Sequence, residues 1–381
     1  MTVEILEESS LDRTLLDLSS KMAEPLCWAY GLLRYRMVAP LEPNKFDNCD
    51  TKIAEIATRA LIAIAAATSL TLFTLPTVFV ATFLGVGSRL FRAVGFALQK
   101  KNYTYVPGAL PEKELHGQAK IMTWNVCGVC GGMHYDHGGV ISWRSRIDRI
   151  VDKIIAEDPD VLVLQEIYDT ALAEAIVQRL NNRYAHFFLH LGANSLGSVS
   201  GEMVLSKCAV HRFTNTSFTN NEWTLNRTFA SIEIKNSPSD ALPCARIIGT
   251  HLIHDDNAKR MVQVAQIVNS VAREALPLPT VLTGDLNLER DKPEEGGVLD
   301  QHLIHGYTGR EPTCTNQLVR QWDLKASGVP NETIDYVSLF RNHAGQAHLV
   351  NTHLVRAFDA LYDTKTALSD HNGVAATLTG Y

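Results

Sequence analysis

Val281-Leu282-Thr283-Gly284-Asp285-Leu286-Asn287 is an apolar run that stops at a glycine, with a carboxylate and a carboxamide following on alternate positions. On an extended backbone alternate side chains point the same way, which sets Asp285 and Asn287 on one face at a strand's end. There a carboxylate can orient and activate a water, and an amide can donate a hydrogen bond to a phosphoryl oxygen; the pair suits a phosphate site with a divalent cation. The same tetrapeptide also occurs in ordinary turns, where Asp and Asn bond their own backbone. The rest of the chain decides between these readings.

Outward from this stretch, short apolar runs alternate with amphipathic ones. Lys120 to Val126 reads as a strand ending on a polar residue, and Ser142 to Asp158 as a helix with Ile147, Ile150, Val151, Ile154 and Ile155 on its apolar face. Pro159 stops that helix, and Asp160-Val161-Leu162-Val163-Leu164-Gln165-Glu166 is a buried strand that ends on a carboxylate. Further strands are expected at Glu202 to Leu205, Thr228 to Ile234, Arg246 to His251, Thr280 to Leu286, Thr333 to Leu339 and Ala375 to Leu378, with a helix over Ala258 to Ala275. Strands in runs with a few helices between them predict an α+β fold, two stacked mixed sheets with helices outside.

With 381 residues, 46% of them hydrophobic and 20% charged, the chain can bury a sizeable core and hold one large domain plus an appendage. A formal net charge of −6 argues against a broad basic surface for nucleic acid, and no nucleic-acid partner is expected. Seven cysteines in so long a chain do not make a disulfide scaffold, and a reducing compartment is the simpler reading.

The N-terminal part is read in three pieces. Residues 1–59 are expected to form a helical region in which Leu11, Leu15, Leu16 and Leu18 are spaced roughly as one helical face, and no signal peptide is visible, since Met1 is followed by acidic Glu4, Glu7 and Glu8. Residues 60–101 form a membrane-associated segment, because Ala60 to Gly87 contains no charged residue. As a helix that run would span roughly 40 Å, enough for one crossing of a hydrocarbon core of about 30 Å but not for two. Pro76 leaves a kinked single span and a shallow re-entrant hairpin open, beside a buried helical hairpin. The slight excess of Arg and Lys after the run favours a cytoplasmic-facing catalytic domain. Pro107, Gly108 and Pro111 mark 102–118 as a linker ahead of a catalytic domain at 119–381.

Several apolar strands end on chemically capable residues: Asn125, Glu166, His251, Asp285 with Asn287, and the Ser369-Asp370-His371 turn. One such ending is usually a cap or a turn; five can converge on one rim of a two-sheet fold. Carboxylate and amide oxygens with little sulfur favour magnesium or manganese over zinc.

The ordered motifs Thr123-Trp124-Asn125, Leu164-Gln165-Glu166, Gly249-Thr250-His251, Gly284-Asp285-Leu286-Asn287, Ile334-Asp335-Tyr336 and Ser369-Asp370-His371 resemble those of the endonuclease/exonuclease/phosphatase superfamily, the metal-dependent phosphoesterases related to DNase I. The resemblance covers Lys120 to the C-terminus and implies a four-layer α/β/β/α sandwich. Gly249-Thr250-His251-Leu252, the acidic residues after it, Arg260, Gln263 and Pro312-Thr313-Cys314-Thr315 are most similar to the neutral sphingomyelinases. A Trp-Asp pair usually completes the last stretch in that group; here Asn316 follows and Trp322-Asp323 comes later.

By resemblance, Glu166 is the principal metal ligand, Asn125 supports the metal or substrate, and Asp370 lies beside the metal. Asp285 positions the attacking water and Asn287 holds a phosphate oxygen. His371 moves a proton with Asp335 orienting it, and His251 stabilises charge on phosphorus; imidazole suits such work near neutral pH. Cys127, Cys130, His134 and His137 form a second constellation, but their spacing is far tighter than in zinc fingers and a flexible loop is the better reading. The expected function is a membrane-associated, Mg2+-dependent phosphodiesterase cleaving a phospholipid headgroup, sphingomyelin to ceramide and phosphocholine. The alternatives are a phosphoinositide 5-phosphatase or a nuclease of the same superfamily, and an inactive membrane-tethered module.

Overall fold

Val161-Leu162-Val163-Leu164 is apolar at every position because its strand is covered on both faces, and the same holds for most strands of this protein. The computed structural model describes residues 10–37, 61, 64, 80, 82–99, 101–129, 140–221, 225–314, 332–357 and 367–381. Among them run strands β1 (Thr104–Pro107), β2 (Gln118–Asn125), β3 (Val161–Gln165), β4 (His186–Leu189), β5 (Met203–Ser206), β6 (Val210–Ser217) and β7 (Thr228–Ile234). They continue as β8 (Ala245–His251), β9 (Thr280–Asp285), β10 (Leu303–His305), β11 (Asp335–Phe340), β12 (His348–Val355) and β13 (Gly373–Thr379). The helices are α1 (Ser10–Met37), α2 (82–98), α3 (Ile147–Glu157), α4 (Thr170–Leu180), α5 (Asn257–Ala272) and α6 (Pro293–His302).

The strands form a seven-stranded sheet, β1-β4-β5-β3-β2-β13-β12, and a six-stranded sheet, β10-β11-β9-β8-β7-β6. Each sheet has one parallel pair, β2 with β3 and β8 with β9, among antiparallel neighbours. The two-residue period of a strand sorts its side chains between layers. Ile121, Val161 and Val163 point inward to meet Ile232, Ile247, Val281 and Val337 of the other sheet. Met122, Trp124, Leu162 and Leu164 point outward under α3 and α4, against Ile147, Ile150, Ile154, Leu172 and Ile176. On the far side Ile248 and Leu282 lie under Val264, Ile267 and Val271 of α5 and Leu299 of α6. These four layers are the expected sandwich. Each buried aliphatic side chain contributes about 1.5–3 kcal/mol, so the three apolar interfaces carry most of the stability.

Two N-terminal expectations change. Along α1 it is Asp12, Leu16 and Ser19 that are buried, while Leu11 and Leu18 are exposed; the face is set by packing on α2, where Gly87 and Gly95 meet Met22 and Leu16. Ser19 Oγ donates to Ser88 O at 2.8 Å and Ser88 Oγ donates to Ser19 O at 2.9 Å, so polar groups that periodicity would place outside are satisfied between the helices. Within 102–118, read as a linker, β1 pairs with β4 and closes one edge of the large sheet. The uncharged run 60–87 lies mostly outside the described residues, so its path is not part of this description. Among the described residues no helix is long and apolar enough to cross a membrane.

Two buried charges make the fold testable. Arg246 and Glu233 are 1% and 3% exposed and bond at 2.9 Å, and Arg246 also reaches Glu274 at 3.2 Å. Arg246→Ala strands Glu233 in the interior with only the half-exposed Arg212 beside it, and a loss of about 3 kcal/mol in urea-unfolding free energy is expected. A variant as stable as wild type would contradict this packing. Glu202 is buried, and burial pushes its carboxyl up to about 8 against the opposing hydrogen bonds of Thr228 and Ser200. A carboxyl raised on folding favours the native state fully only below its unfolded value, about 4.3, and that support fades as pH rises through the folded value. Glu202→Gln removes the titration, so its melting temperature relative to wild type should climb between pH 6 and pH 9; a flat difference would contradict the assignment.

Candidate active site

Strand register builds the site. β9 lies between β8 and β11, and Asp285 is the direct Cα partner of His251 on one side and Asp335 on the other. Three chemically capable side chains are thereby fixed in one row at the end of the smaller sheet. Gly284, just before, has φ +141°, and a Cβ there would sit 1.9 Å from Thr250 O, so the close approach of β8 demands glycine. Opposite, Asn125 ends β2 level with Gln165, its partner in the parallel register of the larger sheet, and Glu166 follows directly after β3.

Asn125 Nδ2 joins the two sheets, lying 3.2 Å from Glu166 Oε1 and 3.1 Å from Asp285 Oδ2. His251 Nε2 is 3.5 Å from Asp285 Oδ2, and His371 Nδ1 is 2.9 Å from Asp335 Oδ2 and 3.9 Å from Asp285 Oδ2. Asn125, His251, Asp285, Asp335 and His371 are buried, whereas Glu166, Asn287 and Asp370 are partly exposed. All eight residues singled out from the sequence are thus brought to one place.

One detail of the opening stretch differs. β9 ends at Asp285, and Asn287 lies beyond it with φ 51°, its backbone N–H donating to Asp285 Oδ1 at 2.9 Å. This is an Asx-type turn, so Asp285 and Asn287 are not alternate positions of an extended strand: the aspartate side chain caps the turn and aims Asn287. One Asn287 amide N–H is engaged by Leu252 O at 3.0 Å.

Electrostatics divide the site. Burial pushes the Asp285 carboxyl up to about 7, with Asp335 adding repulsion and His371 opposing it. Burial and then the Asp370 charge raise Glu166 above the usual carboxylate range. Burial also holds His251 well below the ordinary histidine value, helped by Arg227 and His371, which keeps this imidazole neutral. At His371 burial opposes the charged form, yet Cys314 and the Asp335 carboxylate outweigh it and hold the ring well above its ordinary value.

Glu166, whose carboxyl is raised by the nearby Asp370 charge, and Asp370 itself, beside the Asn125 amide, are the oxygen-rich arrangement that a hard divalent cation relieves. Asp285, Asp335 and His371 also place ligand atoms within 4.8 Å of one another. That trio is already tied by the direct His371 to Asp335 hydrogen bond, so the Glu166 side fits an ion better. In the second constellation, Cys127 is buried and accepted into the turn through its N–H to Asn125 Oδ1 at 3.0 Å; Cys130, His134 and His137 lie outside the described residues.

Residues of the quoted motifs hold the site together. Thr313 Oγ1 accepts from Ile334 N and Asp335 N, both at 3.0 Å, and Asn372 N donates to Thr313 O at 2.7 Å, so Pro312-Thr313-Cys314 fastens Asp335 to the His371 loop. Ser369 Oγ donates to Asn125 O at 2.6 Å, and Trp124 Nε1 donates to His371 O at 2.9 Å. Gln263 Oε1 accepts from Ile253 N at 3.0 Å and Arg260 donates to Ile253 O at 3.3 Å, fixing the segment after His251 from α5. Asp256, one of the acids after Gly-Thr-His-Leu, is the N-cap of α5.

Arg146 was missed. Fully buried, it donates to Val126 O, Cys127 O, Ile141 O and Leu368 O, clamping the two loops that carry Asn125 and His371. Arg227, just before β7, was also missed: it is buried, its charge acts on Glu166 and His251, and its Nε and Nη1 have no hydrogen-bond partner among the described residues. A lone arginine between Asn226 and Thr228 carries no periodic signal, and only the fold reveals its direction.

Among curated proteins, none matches this sequence. The fold is similar to that of SmcL, at 21% identity and a TM-score of 0.54 over 69% of this chain and 99% of that one. It is likewise similar to beta toxin from Staphylococcus aureus, at 18% identity and a TM-score of 0.54 over 68% of this chain and 99% of that one. For sphingomyelinase C from Streptomyces griseocarneus the values are 21%, 0.48, 68% and 99%. The rim described above falls within residues 122–371, which match the Endonuclease/Exonuclease/phosphatase family along most of the folded sandwich, and the chain belongs to that family.

Proposed function

We propose that this family member is a membrane-associated, Mg2+-dependent phosphodiesterase that hydrolyses a phospholipid headgroup, sphingomyelin to ceramide and phosphocholine. The observation that carries the hydrolytic part is the convergence of Asp285, His251, Asp335, His371, Glu166 and Asn125 on one rim, with Arg227 beside them, whose Nε and Nη1 have no hydrogen-bond partner among the described residues. A buried cation with two unpaired donor nitrogens is satisfied by an anionic group, and phosphate oxygens match its fork.

In this reading water attacks phosphorus in line. The new bond is water oxygen to phosphorus, and the bond from phosphorus to the ceramide oxygen breaks. Asp285 orients the water and takes its proton; its position between His251 and Asn125 fixes the direction of attack. His371, steadied by Asp335, supplies a proton to the departing ceramide oxygen. Neutral His251 donates a hydrogen bond to the oxygens of the five-coordinate phosphorus, and the free amide N–H of Asn287 holds a non-bridging oxygen. Glu166 and Asp370, with Asn125, would hold magnesium, or manganese in its place, which supplies Lewis-acid stabilisation of phosphoryl charge when bound.

Support for a lipid substrate comes from the likeness of Gly249 to Asp256 and Pro312 to Thr315 to the neutral sphingomyelinases, and from α2. Phe83, Val86, Leu90, Val94 and Leu98 form one exposed stripe on α2, Phe83 and Leu90 being 64% and 59% exposed. From Ile56 to Pro111 the sequence has no Asp or Glu and carries Arg59, Arg89, Arg92, Lys100 and Lys101, in a chain whose net charge is −6. An apolar stripe in a purely cationic segment suits the surface of an anionic leaflet, here placed on the cytoplasmic side. Anchoring then presents substrate at high local concentration.

The test is hydrolysis of sphingomyelin, a phosphoinositide and DNA by the full chain on vesicles with magnesium. Phosphocholine release is expected from sphingomyelin alone; chelation with EDTA should abolish it and added magnesium restore it. Glu166→Ala and His371→Ala should each lower kcat by on the order of 10²–10⁴. Either variant turning over at the wild-type rate would sink the assignment, and phosphate or nucleotide release without phosphocholine would replace the substrate.

A further inference from the structure

Three non-glycine residues at the site have left-handed backbones: Cys127 at φ 49°, Glu166 at φ 64° and Asn287 at φ 51°. Asn tolerates that region, but glutamate does so rarely, and such a residue persists only where its surroundings over-determine it. Around Glu166 the fixing bonds are few. Ahead of it, Val126 N donates to Gln165 O at 3.3 Å; behind it, Ile167 N donates to Gly201 O at 2.7 Å. Two residues on from Glu166, Tyr168 O accepts from Arg92 Nη2 of α2 at 2.9 Å.

We infer that α2 is a working part of the metal site, with Arg92 the positioning residue that holds the Glu166 turn in its left-handed conformation. This rests on the reading of Glu166 as a metal ligand. Arg92 is well placed for it. It lies over the Phe96 ring at 5.4 Å, and Phe96 is buried with Leu16 of α1 and with Ala193 and Val199 of the catalytic part; Tyr168 packs against the same cluster. Burial brings the guanidinium down to about 10, with Asp169 opposing and Arg89 adding to the fall, so it remains charged at neutral pH. A charged donor to a carbonyl is among the stronger hydrogen bonds, and this one is made where solvent competes little. Tyr168 continues the link: the Arg227 charge acts on its hydroxyl and on Glu166 alike. α2 itself lies ahead of residue 122, where the family match begins, so this support is added from outside the shared domain.

Calorimetric titration of Mn2+ into the full chain reads the claim without turnover. Arg92→Met should weaken Mn2+ binding at least five-fold and lower kcat on soluble bis(p-nitrophenyl) phosphate by a comparable factor, with KM within two-fold of wild type. Arg92→Lys, which keeps a charged donor, should return Mn2+ affinity to within two-fold. Arg179→Met, at an exposed pair with Asp148, should match wild type. A folded Arg92→Met chain that binds Mn2+ as wild type does overturns the inference and leaves the metal reading intact. Should Arg92→Met not fold, Arg92→Gln, too short to reach Tyr168 O, carries the same expectation and the same power to overturn. A wild-type chain that takes up no Mn2+ removes the metal reading, and this inference with it.

Discussion

The placement of β9 between β8 and β11 is the constraint from which the rest of the site follows. A parallel neighbour on one side and an antiparallel one on the other put His251 and Asp335 level with Asp285, at the end where the strands stop. No loop has to find that arrangement; it is set by backbone hydrogen bonds among the buried central strands of the sheet. A one-residue slip of either neighbour would send its polar group to the opposite face, exchanging core for site, so the apolar interior enforces catalytic geometry.

The second sheet contributes Glu166 and Asn125, and the two halves meet through one amide. Asn125 contacts Glu166 and Asp285 while its own carbonyl accepts from Ser369, so both sheets and the His371 loop share a single residue. Around that junction the protein accumulates unfavourable features: the Asp285 and Glu166 carboxyls raised by burial and by the Asp335 and Asp370 charges, left-handed Glu166, and polar atoms at His251 Nδ1, Asp335 Oδ1 and Arg227 Nε and Nη1 without a partner among the described residues. Such features persist where function selects them and packing elsewhere supplies the stability. Arg146 and Thr313 are examples of that supply, each fastening backbone from separate segments.

Much of this was legible in the sequence, for physical reasons. β3, β8, β9 and α3 show the uninterrupted or helical apolar pattern that doubly covered strands and amphipathic helices require, and the polar residues ending them are visible against it. β6 and β12 were not read, because as edge strands they alternate toward solvent and carry Asn, Thr and His. α6 contains Gly296 and Gly297 and shows little amphipathic signal. The buried face of α1 was misplaced because its partner is α2, and only that pairing makes Ser19 an inside residue. Arg227 and Arg146 follow the same rule: a single cation has no period, and its meaning comes from what the fold sets against it.

The central claim is that this rim directs water at phosphorus. Hydrolysis of sphingomyelin vesicles in ¹⁸O-enriched water with magnesium tests it most directly. The account predicts one ¹⁸O atom in the released phosphocholine and none in ceramide. Label in the lipid alcohol, or no phosphocholine at all, would contradict it.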